Sequence, residues 1–144
     1  MHPKPKKSLG QNFLTDENII NLIVEVGDVK NNDIVIEVGP GTGNLTEKII
    51  LKKPKKLILI EKDKTLVEKL NSRFKENITL LNKDILKVEE EEFKNDKMIF
   101  FGNLPYNISS QLLVKWIRKH NLNSICKKMI LMFQKEVADR ILAK

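Results

Sequence analysis

From Asp33 onward the chain alternates between two hydrophobic patterns. Short runs rich in apolar and β-branched residues, at 34–38, 57–60, 78–81, 98–101 and 129–133, read as strands buried on both faces. Between them, Leu45/Ile49/Ile50, Leu66/Val67/Leu70/Phe74 and Leu112/Leu113/Trp116/Ile117 recur at helical spacing. Strands apolar on both faces and separated by helices predict an α/β protein with a parallel, doubly wound sheet. An earlier helix is expected over 16–26, capped by Thr15 or Asp16 and ended by Gly27. A helical stretch at 136–142 follows the fifth strand closely, which predicts an edge strand in need of cover. Trp116 and most of the phenylalanines fall on apolar faces and are assigned to the core.

Composition narrows the setting. The 144 residues suit one domain with a real core. At 41% hydrophobic the chain has no apolar run of membrane-spanning length, so no membrane role is expected. The basic start, Met1 to Lys7, has no apolar stretch after it and does not read as a signal peptide. The single cysteine, Cys126, excludes an internal disulfide and reads as a small core hydrophobe. His2 and His120 are isolated, so no metal site is expected, and a reducing cytoplasm is the natural compartment. The net charge of +7 is compatible with a polyanionic partner. Its lysines cluster at Lys4/Lys6/Lys7, at Lys52/Lys53/Lys55/Lys56, and with Arg118 at Lys115/Lys119/Lys127/Lys128. The acidic run 89–92 reads as a solvated loop or short helix.

Four places carry candidate chemistry. Glu37-Val38-Gly39-Pro40-Gly41-Thr42-Gly43 is a glycine-rich turn between a strand and a helix. Glycines there let the backbone approach a ligand and aim the amides of the helix N-terminus at it. A dinucleotide fingerprint needs a further glycine where Asn44 stands, so that template fails. The pattern instead suits S-adenosyl-L-methionine, a nucleoside with an amino-acid tail. Glu61, at the end of the second strand, can accept hydrogen bonds from both ribose hydroxyls. Asp84, after the third, can accept from an adenine amine, although alone it also reads as a turn or cap residue. Asn103-Leu104-Pro105-Tyr106, after the fourth, contains no strong acid, base or nucleophile. It suits a site that holds a planar, hydrogen-bonding substrate against a reactive cofactor.

Taken in order, these motifs resemble the ribosomal RNA adenine N6,N6-dimethyltransferases of the KsgA type, whose relatives include the erythromycin-resistance RNA methylases. The resemblance runs through Lys7-Ser8-Leu9-Gly10-Gln11-Asn12-Phe13-Leu14, the glycine turn, Glu61, Asp84, Gly102 to Asn107, and Phe133-Gln134-Lys135-Glu136-Val137-Ala138. It implies a Rossmann-like class I S-adenosylmethionine-dependent methyltransferase fold. Residues 1–32 would be a cofactor-covering segment and helix, and residues 33–144 a core lacking the family's C-terminal strands and small helical domain. Cofactor binding is then expected from Asn12, Leu14, Glu37, Gly39, Gly41, Gly43, Glu61, Asp84 and Asn103, and catalysis from Asn103, Leu104, Pro105 and Tyr106.

The same resemblance implies methyl transfer to N6 of adenines in small-subunit ribosomal RNA within an immature small subunit, by a protein monomeric when complete. The adenine N6 lone pair is delocalised into the ring. Acceptors on the N6 hydrogens, here the Asn103 side chain and the Leu104 carbonyl, localise it. Tyr106 can stack on the flipped base, and lysine clusters beside the site would hold the RNA backbone. Three other readings stand against this one. A large-subunit resistance methylase fits 7–14 and 133–138 less well, and a non-catalytic ribosome-assembly module has no need of Asn103 and Tyr106. A nicotinamide oxidoreductase lacks its glycine at Asn44.

Overall fold

The structure, a computed structural model, describes residues 15–88, 97–118 and 126–132, with Tyr106 and residues 116–118 described by their backbone alone. Strands β1 (Ile34–Val38), β2 (Lys56–Ile60), β3 (Thr79–Leu81), β4 (Met98–Gly102) and β5 (Cys126–Leu131) alternate with helices α1 (Glu17–Gly27), α2 (Asn44–Leu51), α3 (Lys64–Phe74) and α4 (Tyr106–Arg118). All strand pairs are parallel, in the order β3-β2-β1-β4-β5. The strand order therefore reverses at β1, which lies between β2 and β4.

Alternate side chains of each strand feed two cores. Val35, Leu57, Leu59, Ile99 and Phe101 meet Ile20, Ile23, Leu45, Ile49, Leu70 and Phe74 from α1, α2 and α3. Ile36, Val38, Ile58, Ile60, Met98 and Phe100 meet Ile85, Val88 and Leu112 on the other face. Each fully buried aliphatic or phenylalanine side chain contributes about 1.5–3 kcal/mol, so the three central strands anchor the domain.

Helix starts follow local chemistry. Asp16 caps α1 by accepting from the Asn18 and Ile19 amides, and Asp63 caps α3 by accepting from Thr65 and Leu66. The end of α1 departs from expectation. The left-handed residue is Asp28, at φ 47°, not Gly27. Gly27 is instead needed for packing, because a Cβ on it would overlap the Phe101 ring.

The fifth strand also begins earlier than its apolar run, at Cys126. Its first turn outward is polar because two lysines are used internally. Lys127 Nζ lies 3.0 Å from Asp33 Oδ1, and Lys128 Nζ donates to the Val26 and Gly27 carbonyls at the end of α1. Cys126 is half-buried rather than enclosed, with burial pushing its thiol pKa up. β5 stands at the edge of the sheet among the described residues. Residues 1–14, 89–96, 119–125 and 133–144 lie outside the described residues. So do the acidic run, the 136–142 helix, His2, His120 and the motif segments at 7–14 and 133–138. No described helix is long and apolar enough to cross a membrane.

Candidate cofactor and substrate site

The carboxyl ends of β1, β2, β3 and β4 bring together four motifs spread over sixty-odd positions of sequence. Ladder geometry continues one residue past each strand. Gly39 N–H donates to the Ile60 carbonyl (3.0 Å), Glu61 N–H to the Leu81 carbonyl (3.0 Å), and Asn103 N–H to the Val38 carbonyl (3.2 Å). Gly39, Glu61 and Asn103 are thus held at one level by the sheet. In an open parallel sheet, the crevice for a ligand lies at this point of reversal.

The glycine turn needs its glycines. Gly39, Gly41 and Gly43 have φ of 71°, 60° and 95°, a region that L side chains seldom enter. A Cβ on Gly39 would stand 2.8 Å from the Asn103 carbonyl oxygen, and one on Gly43 would stand 2.5 Å from Phe74 Cε2. The turn therefore rests on Asn103 at one end and on α3 at the other. Gly43 stands at the N-cap of α2 with no side-chain cap hydrogen bond, and a helix N-terminus of this kind favours a negatively charged group.

Glu37 sits beneath this turn, 1% exposed, and accepts a hydrogen bond from Thr46 Oγ1 in the first turn of α2. Burial pushes its carboxyl up to about 7, against the Thr46 hydrogen bond, and the nearby Glu61 carboxylate adds to the rise. With its described contact made to Thr46, Glu37 ties strand to helix under the turn.

Glu61 is 7% exposed, and its pKa is also raised by burial, opposed by the amides of Asp63, Gly41 and Lys62. Its Oε2 accepts from Asp63 N–H at 3.0 Å. The loop that carries it is held from β3, where the Asn82 amide donates to the carbonyls of Glu61 (2.9 Å) and Lys62 (3.1 Å). Asp84 caps a short 3-10 turn through Oδ1, which accepts from Leu86 N–H. Its Oδ2 lies 3.6 Å from Lys62 Nζ, so the second and third acidic positions are linked.

After Asn103, Pro105 launches α4, its carbonyl accepting from the Ile108 and Ser109 amides. Leu104 packs toward Gly39, its Cδ2 3.1 Å from where a Cβ would stand. Tyr106 opens α4, with its ring outside the described side chains. Asn12 and Leu14 lie outside the described residues. Among the described residues no group of acids, histidines and cysteines is arranged to hold a metal.

Three participants were not visible in the motifs. Thr46 and Asn82 supply the contacts just described. Arg73 Nη1 donates to the Thr42 carbonyl (2.7 Å) while Nη2 meets Glu47 Oε2 (2.8 Å), clasping the glycine turn from α3. Arg73 left no signal in the sequence, standing 31 residues from Thr42.

The described lysines of the second and third clusters are not where the motif reading puts them, and Lys4, Lys6, Lys7 and Lys119 lie outside the described residues. Lys52, Lys53, Lys55 and Lys56 lie at the amino end of β2, a five-residue strand whose other end carries the site, roughly 15 Å away. Lys115 Nζ donates to the Leu86 and Val88 carbonyls, and Lys127 and Lys128 are engaged at the far end of the sheet. None of these described lysines stands free beside the site. The reason is topological: a loop between a helix and the next strand sits at the opposite end of a parallel sheet from the strand-to-helix turns.

A sequence profile described as ribosomal RNA adenine dimethylase matches residues 2–144. A protein named ribosomal RNA small subunit methyltransferase A from Pelagibacter ubique is 50% identical over 144 residues, covering 100% of this chain and 55% of that protein. One of the same name from a Hydrogenobaculum species is 48% identical over 139 residues, covering 96% and 53%. The chain thus spans about half the length of the relatives it matches. Among solved structures, a dimethyladenosine transferase from Plasmodium falciparum superposes with a TM-score of 0.77 at 34% identity, over 92% of this chain and 47% of that one. The 23S rRNA methyltransferase ErmE gives 0.70 at 28% identity, over 89% and 50%.

Proposed function

The chain belongs to the ribosomal RNA adenine dimethylase family, and from that premise we propose that it forms the catalytic half of a small-subunit ribosomal RNA dimethyltransferase. The reaction is methyl transfer from S-adenosyl-L-methionine to N6 of adenines, giving N6,N6-dimethyladenosine. The observation that carries this reading is the locking of Gly39, Glu61 and Asn103 at one level around the reversal of strand order. The names of the relatives at 48–50% identity favour the small subunit over the large.

The residues present fit a nucleoside with a charged tail. Positive-φ glycines and the uncapped start of α2 make a cradle that side chains would fill. Glu61 is assigned to the ribose hydroxyls. Asp84, partly buried and beside Lys62, is assigned to the adenine amine of the cofactor. Glu37 supports the turn from below through its hydrogen bond with Thr46. Gly41 and Gly43 supply backbone, while Asn12 and Leu14 are assigned to the covering segment.

When bound, the cofactor supplies an electrophilic methyl group. The chain's own part is to hold and polarise the acceptor. The Asn103 side-chain oxygen and the Leu104 carbonyl accept from the target N6 hydrogens and localise its lone pair. Pro105 has no amide hydrogen and its ring restrains the backbone that presents that carbonyl. Tyr106, at the start of α4, stacks on the extruded base. Proximity and fixed dipoles supply the acceleration, and the N6 proton passes to water after the methyl–sulfur bond has broken, so no general base is required.

The test is transfer of labelled methyl groups to undermethylated small subunits by a full-length version carrying these residues, with dimethyladenosine mapped afterwards. Asn103→Ala should abolish transfer and only weaken cofactor binding. Absence of transfer by the unmutated protein would sink the proposal, and cofactor binding without transfer would favour an assembly module.

A further inference from the structure

The amino end of the sheet presents an exposed basic edge that the proposed site does not use. Lys52, Lys53, Lys55 and Lys56 are all exposed, and none has a side-chain partner among the described residues. The edge is not a loose loop. Lys52 and Lys53 donate their amides to the Ile49 and Ile50 carbonyls, and Lys55 N–H donates to the Asp33 carbonyl at 2.8 Å. Lys56 then enters the β2 ladder opposite Ile34. Four cations are therefore displayed from a pinned backbone.

Lys53 adds an independent sign. It sits just past the end of α2 at φ 53°, directly before Pro54. Glycine is the ordinary residue at such a helix end, because a Cβ is strained there. Holding a lysine in that conformation makes sense where its side chain has a use.

The nearest described acids that are paired at this end are Asp28 and Asp33. Asp28 and Asp33, in the connection into β1, are matched by Lys30 at 2.9 Å and Lys127 at 3.0 Å. Those pairings leave the Lys52–Lys56 run uncompensated among the described residues. The site end, by contrast, gathers Glu37, Glu61, Asp63 and Asp84, with Lys62 already beside Asp84.

We propose that Lys52, Lys53, Lys55 and Lys56 form a second RNA-backbone contact, which holds a segment of ribosomal RNA other than the one that offers the adenine. This rests on the RNA-substrate reading above. The occupant is a phosphodiester backbone, because the edge offers four exposed point charges and no aromatic ring for base stacking within 51–56, its apolar residues being only Leu51 and Pro54. A folded RNA particle presents several backbones at once, so a contact roughly 15 Å from the site restrains the particle without entering the site.

The experiment measures binding of a labelled small-subunit ribosomal RNA fragment to the chain at several salt concentrations. It compares the unmutated chain with a quadruple variant, Lys52→Gln, Lys53→Gln, Lys55→Gln and Lys56→Gln. Loss of four phosphate contacts should weaken binding at least about tenfold at physiological salt and reduce the log–log salt slope by about 3. S-adenosyl-L-methionine affinity and melting temperature should be unchanged. A quadruple arginine variant should restore RNA affinity, which separates charge from folding. Equal affinity and slope for the unmutated and glutamine chains would overturn the proposal. Parallel loss of equally tight polyglutamate binding would show a general anion face and overturn the commitment to RNA. Cofactor binding and transfer are read separately, so failure of the methyltransferase reading is distinguishable from failure of this one.

Discussion

The Asn103 carbonyl oxygen lies 2.8 Å from where a Cβ on Gly39 would be, so the turn after β1 and the turn after β4 are packed backbone against backbone. Residues far apart in sequence meet because β1 and β4 are neighbours in the sheet and in register, Val38 opposite Gly102. The contact joins the proposed cofactor cradle to the proposed substrate clamp. Movement of one must be felt by the other.

Gly39→Ala is therefore expected to damage both functions. The left-handed φ of 71° costs an alanine about 1 kcal/mol, and overlap with the Asn103 carbonyl adds more. Urea unfolding should show a loss of roughly 2–3 kcal/mol. Cofactor titration should show weakened binding at temperatures where the variant remains folded. An unchanged affinity would separate the turn from the ligand.

Arg73→Ala should act on the cofactor more than on stability. The guanidinium clasps Thr42 and Glu47 from a partly exposed position, so its stabilising contribution is expected below about 1 kcal/mol. Release of the turn should raise the cofactor KM several-fold and leave kcat at saturation near its original value. Arg73→Lys should recover only part of this, because a point charge cannot bridge both acceptors as a planar fork does. Equal losses in KM and kcat would contradict a positioning role.

Glu37→Gln tests the buried acid. The folded-state pKa of about 7 lies above the ordinary 4.5, so the native protein holds this proton where the unfolded chain has lost it. The associated stability is present below pH 4.5 and is lost as pH rises through 7. Above that range the ionised, buried carboxylate costs on the order of 3 kcal/mol in the ligand-free protein. The glutamine variant, which keeps an acceptor for Thr46, should be the more stable at pH 8.5, with the gap closing toward pH 4. Chemical denaturation at both pH values measures this, and a gap independent of pH would refute the assignment.

Gly27→Ala should reverse the usual sign of a glycine-to-alanine change in a helix. Helix propensity favours alanine by about 1 kcal/mol, but a Cβ here meets the Phe101 ring at the centre of the sheet. Overpacking of a fully buried ring costs roughly 1–3 kcal/mol, so net destabilisation is expected by urea titration. A more stable variant would mean that Phe101 can shift.

Much of the fold was legible in hydrophobic periodicity. β1 to β4 fall on the apolar runs to within a residue or so at each end, since central parallel strands are apolar on both faces. β5 was less legible because Lys127 and Lys128 look like surface residues until Asp33 and the end of α1 are beside them, 94 to 102 positions away in sequence. The four motifs of the site were readable as strand-end chemistry. Their supports, Thr46, Arg73 and Asn82, were not, because each works through a partner that sequence spacing does not reveal.

The amino-acid sequence by itself determined the alternation of strands and helices, the family, and the residue types available at each strand end, since these depend on local pattern and motif. Tertiary structure decided which of those ends share a crevice, which lysines are engaged inside the fold, and, among the described residues, which lysines at the end opposite the site have no side-chain partner. The reason is the order of the sheet: with β1 between β2 and β4, every strand-to-helix turn lies at one edge and every helix-to-strand loop at the other. No local spacing encodes that order.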